Sequence, residues 1–332
     1  MQPSKDWKET VAADEHERFE RYATQLAALQ RKRAGAAKAD RALHAKAHAG
    51  VRARLEVLGG LPEHARVALF AEPKTFEAYV RFSNGAGTRD SDRKPDLRGL
   101  AIKVLGVGGR KLIPGMENET TQDFLFVNVP ALPFATVEDF VAVVLASTTP
   151  ALLPFRLFGH FGFGTIGFLR RLLAATKPIP SLATASFYSV APIRFGDFAV
   201  RLSLAPAQRD DGTERHGSTL ADDLARRLAA GELAWDLRVQ FFTSEAATPI
   251  EDVTVAWSES ESPPVVVARL SIPGQDVASD EGRRLAERVE AMAFDPWHAC
   301  EELRPLGAAM RARNPAYRES QKTRRADREP ST

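Results

Sequence analysis

Histidine and arginine side chains occur together in the segment RALHAK, residues 41–46. Arg41 lies three positions before His44, directly ahead of a run that predicts a strand. An imidazole with a free pKa of about 6.5 suits proton transfer near neutral pH, and the planar fork of a guanidinium suits binding to carboxylates. A single histidine is more often a packed or solvated residue than a catalyst, so this segment alone does not define a site.

Other polar side chains that could share a site with this segment occur in short motifs along the chain. The motifs are VRFSNG at 80–85, PDLRGLAIKV at 95–104, DFLFVNVP at 123–130, FDP at 294–296 and RNPAY at 313–317. They supply Arg81, Ser83 and Asn128, and later Arg313 and Tyr317. A phenol titrates at about 10, so a tyrosine ionises at neutral pH only beside strong positive charge, such as a metal ion with an arginine nearby.

In their order and spacing, these motifs resemble those of the haem-dependent catalase family over about residues 41–324. The segments LRVQFFT at 237–243 and PPVVVARLSIP at 263–273 are similar to late barrel strands of that family. The resemblance implies a β-barrel with haem b buried beside it, iron held by a tyrosine phenolate, and a reaction with a peroxide and a reducing donor. Since the sequence ends soon after Arg324, we expect the small, minimal branch without a wrapping segment.

The resemblance implies roles for three residues on the peroxide side of the haem. His44 matches the distal histidine that moves a proton between the two peroxide oxygens. Asn128 matches the asparagine that hydrogen-bonds to the peroxide, and Ser83 matches the serine that orients the histidine through its other ring nitrogen. Histidine is chemically suited to accept one proton and return it, because its free pKa is near the operating pH.

The resemblance also implies which residues hold the cofactor. Arg41, Arg81 and Arg324 match arginines that pair with the haem propionates. Tyr317 matches the axial ligand of the iron, and Arg313 matches the arginine that faces its phenolate. These residue types fit the chemistry, since tyrosine is a known axial ligand of haem and arginine binds carboxylates bidentately.

Pro315 departs from the family pattern because it lies between Arg313 and Tyr317. A proline inside a helix removes one backbone hydrogen bond and clashes with the preceding turn. Two alternatives follow: a helix begins at Pro315 with Asn314 as its cap, or the Arg–Tyr geometry differs from that of the family.

Two other functions are compatible with the same resemblance. The fold also hosts fatty-acid hydroperoxide dehydratases and lyases, in which a threonine typically precedes the distal histidine. Leu43 occupies that position here, which favours the peroxidase or catalase-like enzyme. The third candidate is a non-catalytic haem-binding or redox-sensing protein, because a retained fold does not establish turnover. The presence of His44, Asn128 and Tyr317 argues against it.

The composition is that of an ordinary globular chain. Its 332 residues are 44% hydrophobic and 27% charged, with a formal net charge of +2, which offers no bulk polycation to nucleic acid or anionic lipid. Cys300 is the only cysteine, so an internal disulfide is excluded, and the charged N-terminus predicts no signal peptide. We therefore expect a cytoplasmic protein that takes small-molecule substrates, with no nucleic-acid or membrane partner. A homo-oligomer remains open.

Hydrophobic periodicity predicts the elements that must position these residues. A helix is predicted over Trp7–Ala36, and strands follow from residue 50 to 272, among them Leu69–Phe70 and Thr254–Trp257. Helices are predicted at 137–146 and 218–230 between the strands, and the last third is helical, with segments at 280–292, 301–313 and 315–324. The Phe- and Gly-rich segment 151–176 predicts hydrophobic packing or, alternatively, the wall of a cavity. The class is α+β: a catalase-like antiparallel β-barrel with flanking N- and C-terminal helices, divided into an arm at 1–40, a haem-binding barrel domain at 41–325 and a tail at 326–332.

Overall fold

Antiparallel strands form the centre of the computed structural model, which describes residues 2–35, 39–207, 218–326 and 329. The strands are β1 (Ala47–Val57), β2 (Thr75–Asn84), β3 (Arg98–Leu105), β4 (Thr121–Val127), β5 (Phe187–Tyr188), β6 (Ile193–Phe195), β7 (Phe198–Pro206), β8 (Leu233–Phe241) and β9 (Val265–Ile272). Their order in the sheet is β5-β4-β3-β2-β1-β9-β8-β7-β6, and every pairing is antiparallel.

The short strand β5 closes the sheet into a barrel. Tyr188 pairs with Val127 of β4, and Phe187 pairs with Leu204 of β7. The ring therefore contains eight strands, while β6 pairs with the first residues of β7, along the same edge as β5. Closure removes the free strand edges of an open sheet. The predicted antiparallel barrel is confirmed.

Alternating side chains fill the barrel and give it its core. In β1, Val51, Ala53, Leu55 and Val57 are buried while the intervening side chains point to solvent, as the period of two predicts. Aromatic rings from separate strands meet in the interior: the Phe82 ring lies 6.3 Å from that of Phe187 and 6.1 Å from that of Trp235. Such contacts bury large apolar surfaces and fix the strand register.

Helices cover the barrel and continue the chain at both ends. They are α1 (Glu15–Ala34), α2 (Val137–Ala146), α3 (Leu153–Phe161), α4 (Thr165–Ala175), α5 (Leu220–Ala230), α6 (Asp280–Ala291) and α7 (Ala308–Arg324). The terminal helices α1 and α7 pack against each other, and α6 packs on β1. Gly50 permits that approach, because a Cβ there would lie 2.7 Å from the Cβ of Val289. In the part of the chain that the structure describes, no helix is both long and apolar enough to cross a membrane.

Several predicted boundaries are wrong, each for a local reason. The N-terminal helix begins at Glu15 rather than Trp7, whose indole N–H donates to the carbonyl of Asp197, and the predicted end at Ala36 lies outside the described residues. A strand predicted at Leu69–Phe70 is a 3-10 turn, and one predicted at Thr254–Trp257 is a loop. These short apolar runs pack without pairing, which composition alone does not distinguish from a strand.

The C-terminal helix differs most from its prediction. Residues 301–313 do not form one helix: a 3-10 turn at Glu301–Leu303 is followed by a loop, and α7 begins at Ala308. Pro315 lies inside α7 and is buried, so a helix that begins at Pro315 is excluded. Packing of α7 on α1 and α2 outweighs the lost backbone hydrogen bond, as tertiary context often does.

Candidate functional site

A single cavity of about 410 Å³ contains seven of the eight predicted site residues. Arg41 and His44 come from the segment before β1, and Arg81 and Ser83 come from β2. The residues Arg313, Tyr317 and Arg324 come from α7. Three parts of the chain that are distant in sequence thus line the same cavity.

Backbone and side-chain contacts hold His44 in a fixed orientation. Its φ of 55° is left-handed, which costs about 1 kcal/mol or more for a residue other than glycine and is maintained by its surroundings. The His44 N–H donates to the carbonyl of Gly85 at 2.9 Å, and the Arg81 guanidinium donates to the His44 carbonyl at 2.8 Å. Nδ1 of the ring lies 3.0 Å from Oγ of Ser83. Nε2 is therefore the nitrogen available to a ligand in the cavity.

Gly99 on β3 forms the surface on which the imidazole rests. A Cβ at this position would lie 2.6 Å from Nδ1 of His44 and 2.8 Å from Oγ of Ser83. Such distances are far below van der Waals contact, so any other residue would displace the histidine or the serine. The sequence motif RGLA contains this glycine, but nothing in the sequence indicates that it supports the histidine.

The electrostatic environment keeps the His44 ring neutral. Burial, together with the nearby guanidinium charges of Arg81, Arg313 and Arg41, lowers the pKa of His44 to about 3, while the backbone of Asn84 opposes the effect. A neutral imidazole can accept a proton, whereas an imidazolium cannot. In this cavity His44 is thus a base at physiological pH.

Three of the arginines meet at one acid, Glu290 at the end of α6. Arg41 pairs with one carboxylate oxygen of Glu290, and Nε of Arg81 lies 2.8 Å from the other. Arg324 donates to the Glu290 carbonyl at 2.7 Å. Three guanidinium groups and one carboxylate leave two positive charges beside the cavity. Burial and the other two guanidinium groups lower the pKa of Arg41, which reflects this excess of positive charge.

Glu290 is the main residue of the site that sequence reasoning missed. It lies in the helical segment that precedes FDP, where an acid among other charges predicts a solvated helix face. Only the tertiary packing of α6 against β1 and β2 brings its carboxylate to the two arginines. Phe294 of FDP also lines the cavity, and the Arg41 guanidinium lies 6.0 Å from the centre of its ring.

Tyr317 and Arg313 lie one helical turn apart on α7 and both line the cavity. Burial raises the pKa of Tyr317, and the carboxylate of Asp295 adds to the effect, while the guanidinium of Arg313 opposes it. Within the described residues, the Tyr317 hydroxyl has no hydrogen-bond partner. Despite Pro315, the helix thus keeps both side chains at the same cavity, and the phenol needs a further cation before it can ionise at neutral pH.

Asn128 is the predicted site residue that the structure does not place among the cavity-lining residues. It follows β4, directly after Val127, which does line the cavity. Its Oδ1 accepts a hydrogen bond of 2.6 Å from the backbone N–H of Arg98, which orients the amide so that Nδ2 remains as the donor end. Its predicted contact with peroxide remains a prediction.

The segment 151–176 contributes little to the cavity. Leu172 and Thr176 are its residues on the lining, whereas Phe155 and Phe163 are exposed to solvent. Phe168 is fully buried, so the prediction of hydrophobic packing holds for part of the segment. Neither hydrophobic packing nor the wall of a cavity, the two predicted alternatives, accounts for the solvent-exposed face of this segment.

The residues of this cavity fit a flat, dianionic cofactor such as haem b. The remaining lining is mostly apolar and includes Leu100, Phe126, Phe134 and Phe140. Two uncompensated positive charges suit two propionates, and the unpaired Tyr317 hydroxyl suits a metal ligand. An eight-stranded antiparallel barrel with such a cavity between its rim and a C-terminal helix defines the class of catalase-fold proteins.

Structural comparison agrees with that class. The chain superposes on a fungal catalase with a TM-score of 0.66 and 17% identity, covering 98% of this chain and 66% of that one. A bacterial catalase gives a TM-score of 0.61 at 17% identity, covering 100% and 66%. Catalase A from Saccharomyces cerevisiae gives 0.64 at 15% identity, covering 98% and 67%. The chain has the catalase fold and spans about two thirds of the length of these catalases.

Sequence comparison finds a relative that is named as a peroxidase. A catalase-related peroxidase from Mycolicibacterium paratuberculosis is 27% identical over 267 residues, which cover 75% of this chain and 78% of that protein. No family model matches the chain. The recognition of a catalase-like chain from its motifs is confirmed by these relatives.

Proposed function

We propose that this protein is a haem-dependent oxidoreductase that reduces hydrogen peroxide or organic hydroperoxides, with haem b ligated by Tyr317. The observation that carries the proposal is the convergence of a neutral His44, an unpaired Tyr317 and an arginine cluster with two spare positive charges on one cavity. A relative named as a catalase-related peroxidase supports the same class of reaction.

The arginines would hold the cofactor through its carboxylates. Arg41 and Arg81 form bonds to Glu290, and each guanidinium has further N–H groups that can donate to a propionate. Arg324 would add a third partner from α7. Tyr317 would ligate the iron as a phenolate, and Arg313 would stabilise its negative charge from the next turn of the helix.

Bound haem would supply the two electrons that cleave the peroxide O–O bond, and a reducing donor or a second peroxide would return them. Nε2 of His44 accepts the proton of one peroxide oxygen and returns it to the other oxygen, which leaves as water or an alcohol. Ser83 keeps the ring in place through Nδ1, and Asn128 Nδ2 would donate a hydrogen bond to the peroxide. This shuttle needs an imidazole that starts neutral, as the lowered pKa of His44 provides.

Leu43 favours peroxide reduction over hydroperoxide dehydration or cleavage. Its side chain lines the cavity next to His44 and offers no hydroxyl group to a substrate there. The test combines an absorption spectrum with two assays on the haem-replete protein, donor oxidation and oxygen release. A Soret band with either activity supports the proposal. Conversion of a fatty-acid hydroperoxide without a donor would assign the dehydratase or lyase reaction, and a Soret band without turnover would assign a haem-binding or sensing role.

A further inference from the structure

An exposed apolar surface distinguishes α3, α4 and the link between them, residues 153–175, here called the apolar hairpin. Five large apolar side chains of this hairpin are more than half exposed: Phe155 at 76%, Phe158 at 57%, Phe163 at 94%, Ile166 at 70% and Leu173 at 65%. Single exposed apolar residues are common, whereas a group of them on one hairpin, with the rings of Phe158 and Phe163 6.2 Å apart, marks an interaction surface.

The same part of the chain is strongly basic. Residues 150–177 contain Arg156, Arg170, Arg171 and Lys177, and they contain no aspartate or glutamate. All four side chains belong to exposed residues. The four charges exceed the formal net charge of +2 of the whole chain, so the near-neutral total hides a local concentration of positive charge.

The hairpin is anchored to the body of the protein, so its exposed side chains do not result from an unpacked segment. The rings of Phe161 and Phe168 stack with their centres 4.5 Å apart, and Phe168 also lies 5.7 Å from the ring of Phe134. The Arg171 guanidinium donates to the carbonyl of Pro133 at 3.2 Å. Its inner face is thus fixed, while the outer face and the link at Phe163 project into solvent.

We propose that the apolar hairpin docks on the surface of an anionic lipid bilayer. Aromatic and aliphatic side chains beside arginine and lysine are typical of helices that lie in the membrane interface. Each basic residue near an anionic surface contributes about a fivefold gain in affinity. No described helix is both long and apolar enough to cross a bilayer, so the proposed contact is peripheral.

A second copy of the chain is a poorer partner for this surface. A two-fold contact would bring the same patch onto itself, because such interfaces are self-complementary. The basic groups of one hairpin would then face those of the other, with no acidic residue of either hairpin to compensate. Anionic lipid headgroups supply the missing negative charge, and their acyl chains accept the phenylalanine rings.

A pocket between α2 and α3 offers a place for a headgroup. It has a volume of about 330 Å³ and is lined by Arg156, His160 and apolar residues such as Val143 and Leu157. Nε2 of His160 lies 2.9 Å from Oδ1 of Asp139, so Arg156 is the cation left to a headgroup there. A guanidinium beside apolar walls suits a phosphate with the upper part of its acyl chains. On the inner side of α4, Leu172 and Thr176 line the large cavity, so docking would place that cavity one helix away from the bilayer.

The test is co-sedimentation of the purified full chain with vesicles. We expect binding to vesicles of phosphatidylcholine with 30% phosphatidylglycerol, weaker binding in high salt, and little binding to pure phosphatidylcholine. The double variant Phe155→Ser/Phe163→Ser removes two exposed apolar side chains, and Arg156→Glu/Arg170→Glu removes two cations. The arginine variant should weaken binding at least about 20-fold, because two cations are lost. These residues are exposed, so both variants should keep the wild-type unfolding temperature.

Matched controls test whether the effect belongs to the hairpin. Arg93→Glu/Arg110→Glu makes the same change of charge at exposed positions in other loops, and Val11→Ser removes an exposed apolar residue elsewhere. Both should bind like wild type. No binding of wild type to the anionic vesicles in low salt, or equal loss in the controls, would overturn the proposal. The proposal would also be overturned if the protein without lipid formed a dimer and Phe155→Ser/Phe163→Ser dissociated it, since the surface would then be an interface between two copies.

Discussion

Nδ1 of His44 lies 3.0 Å from Oγ of Ser83, and both atoms lie over Gly99, where no Cβ can fit. The contact assigns one ring nitrogen to the protein and leaves the other for the substrate. Because Ser83 belongs to β2 and Gly99 to β3, the barrel itself sets the position of the catalytic base in the proposed reaction.

Replacing His44 tests its role in proton transfer. Since general acid–base assistance contributes about 10²–10⁴-fold, His44→Ala should bind haem normally but react with hydrogen peroxide more slowly by that range. Stopped-flow spectroscopy measures the rate constant directly. His16→Ala, at an exposed position of α1, is the control and should behave like wild type. A rate within a few-fold of wild type for His44→Ala would show that the proton takes another path.

The lowered pKa of His44 predicts how acid affects stability. The unfolded chain binds a proton at this histidine with a pKa of about 6.5, whereas the folded chain does so only at about 3. Between these values the unfolded state binds more protons, so the free energy of unfolding decreases as the pH falls from about 6.5 to 3. His44→Ala lacks this contribution and should show a shallower decrease. Urea unfolding of the haem-free proteins at several pH values tests this, and parallel curves would contradict it.

Replacing Tyr317 tests the proposed iron ligand. Tyr317→Phe removes the phenolic hydroxyl and keeps the aromatic ring, so the protein should lose haem or show a shifted Soret band. Tyr22→Phe is a matched control, because Tyr22 also lines the cavity but lies on α1. We expect it to keep the wild-type spectrum. If both variants kept it, the axial ligand would be another residue.

Sequence reasoning predicted the barrel and seven of the residues that line the cavity, because the motifs that carry them are local patterns. The alternation in β1 and the position of Tyr317 four residues after Arg313 can be seen in the sequence itself. Glu290 and Gly99 were missed, because an acid on a charged helix and a glycine in a strand acquire their roles only through packing. The start of α7 was mislocated for the same reason, since the propensity of Pro315 was overruled by its burial.

Glu290 predicts different effects of one substitution in the haem-free and haem-bound protein. Glu290→Gln leaves Arg41 and Arg81 without their carboxylate, and a broken partly buried pair typically costs about 1–3 kcal/mol. Propionates would restore negative charge to these arginines, so the loss of stability should be smaller with haem bound. Thermal unfolding of both forms measures the difference.

Replacing Arg81 tests its proposed role in holding the cofactor. Arg81→Ala should weaken haem retention, as measured by the Soret band, whereas Arg194→Ala, which removes a partly exposed ion pair, should not.

The shape of the cavity predicts which peroxides react. The wall of the cavity is largely apolar, with Phe140 and Val137 from α2 among its residues. An apolar wall stabilises a bulky organic hydroperoxide by burial, whereas hydrogen peroxide gains nothing from it. We therefore expect donor oxidation with cumene hydroperoxide to be substantial relative to oxygen release from hydrogen peroxide.

Two substitutions in the wall test this expectation. Phe140→Ala enlarges the cavity and should shift the ratio of specificity constants towards the organic substrate by up to about tenfold, while Val137→Phe should shift it the other way. Vigorous oxygen release with no reaction of cumene hydroperoxide in the wild type or in Phe140→Ala would mean that these residues do not face the path of the substrate.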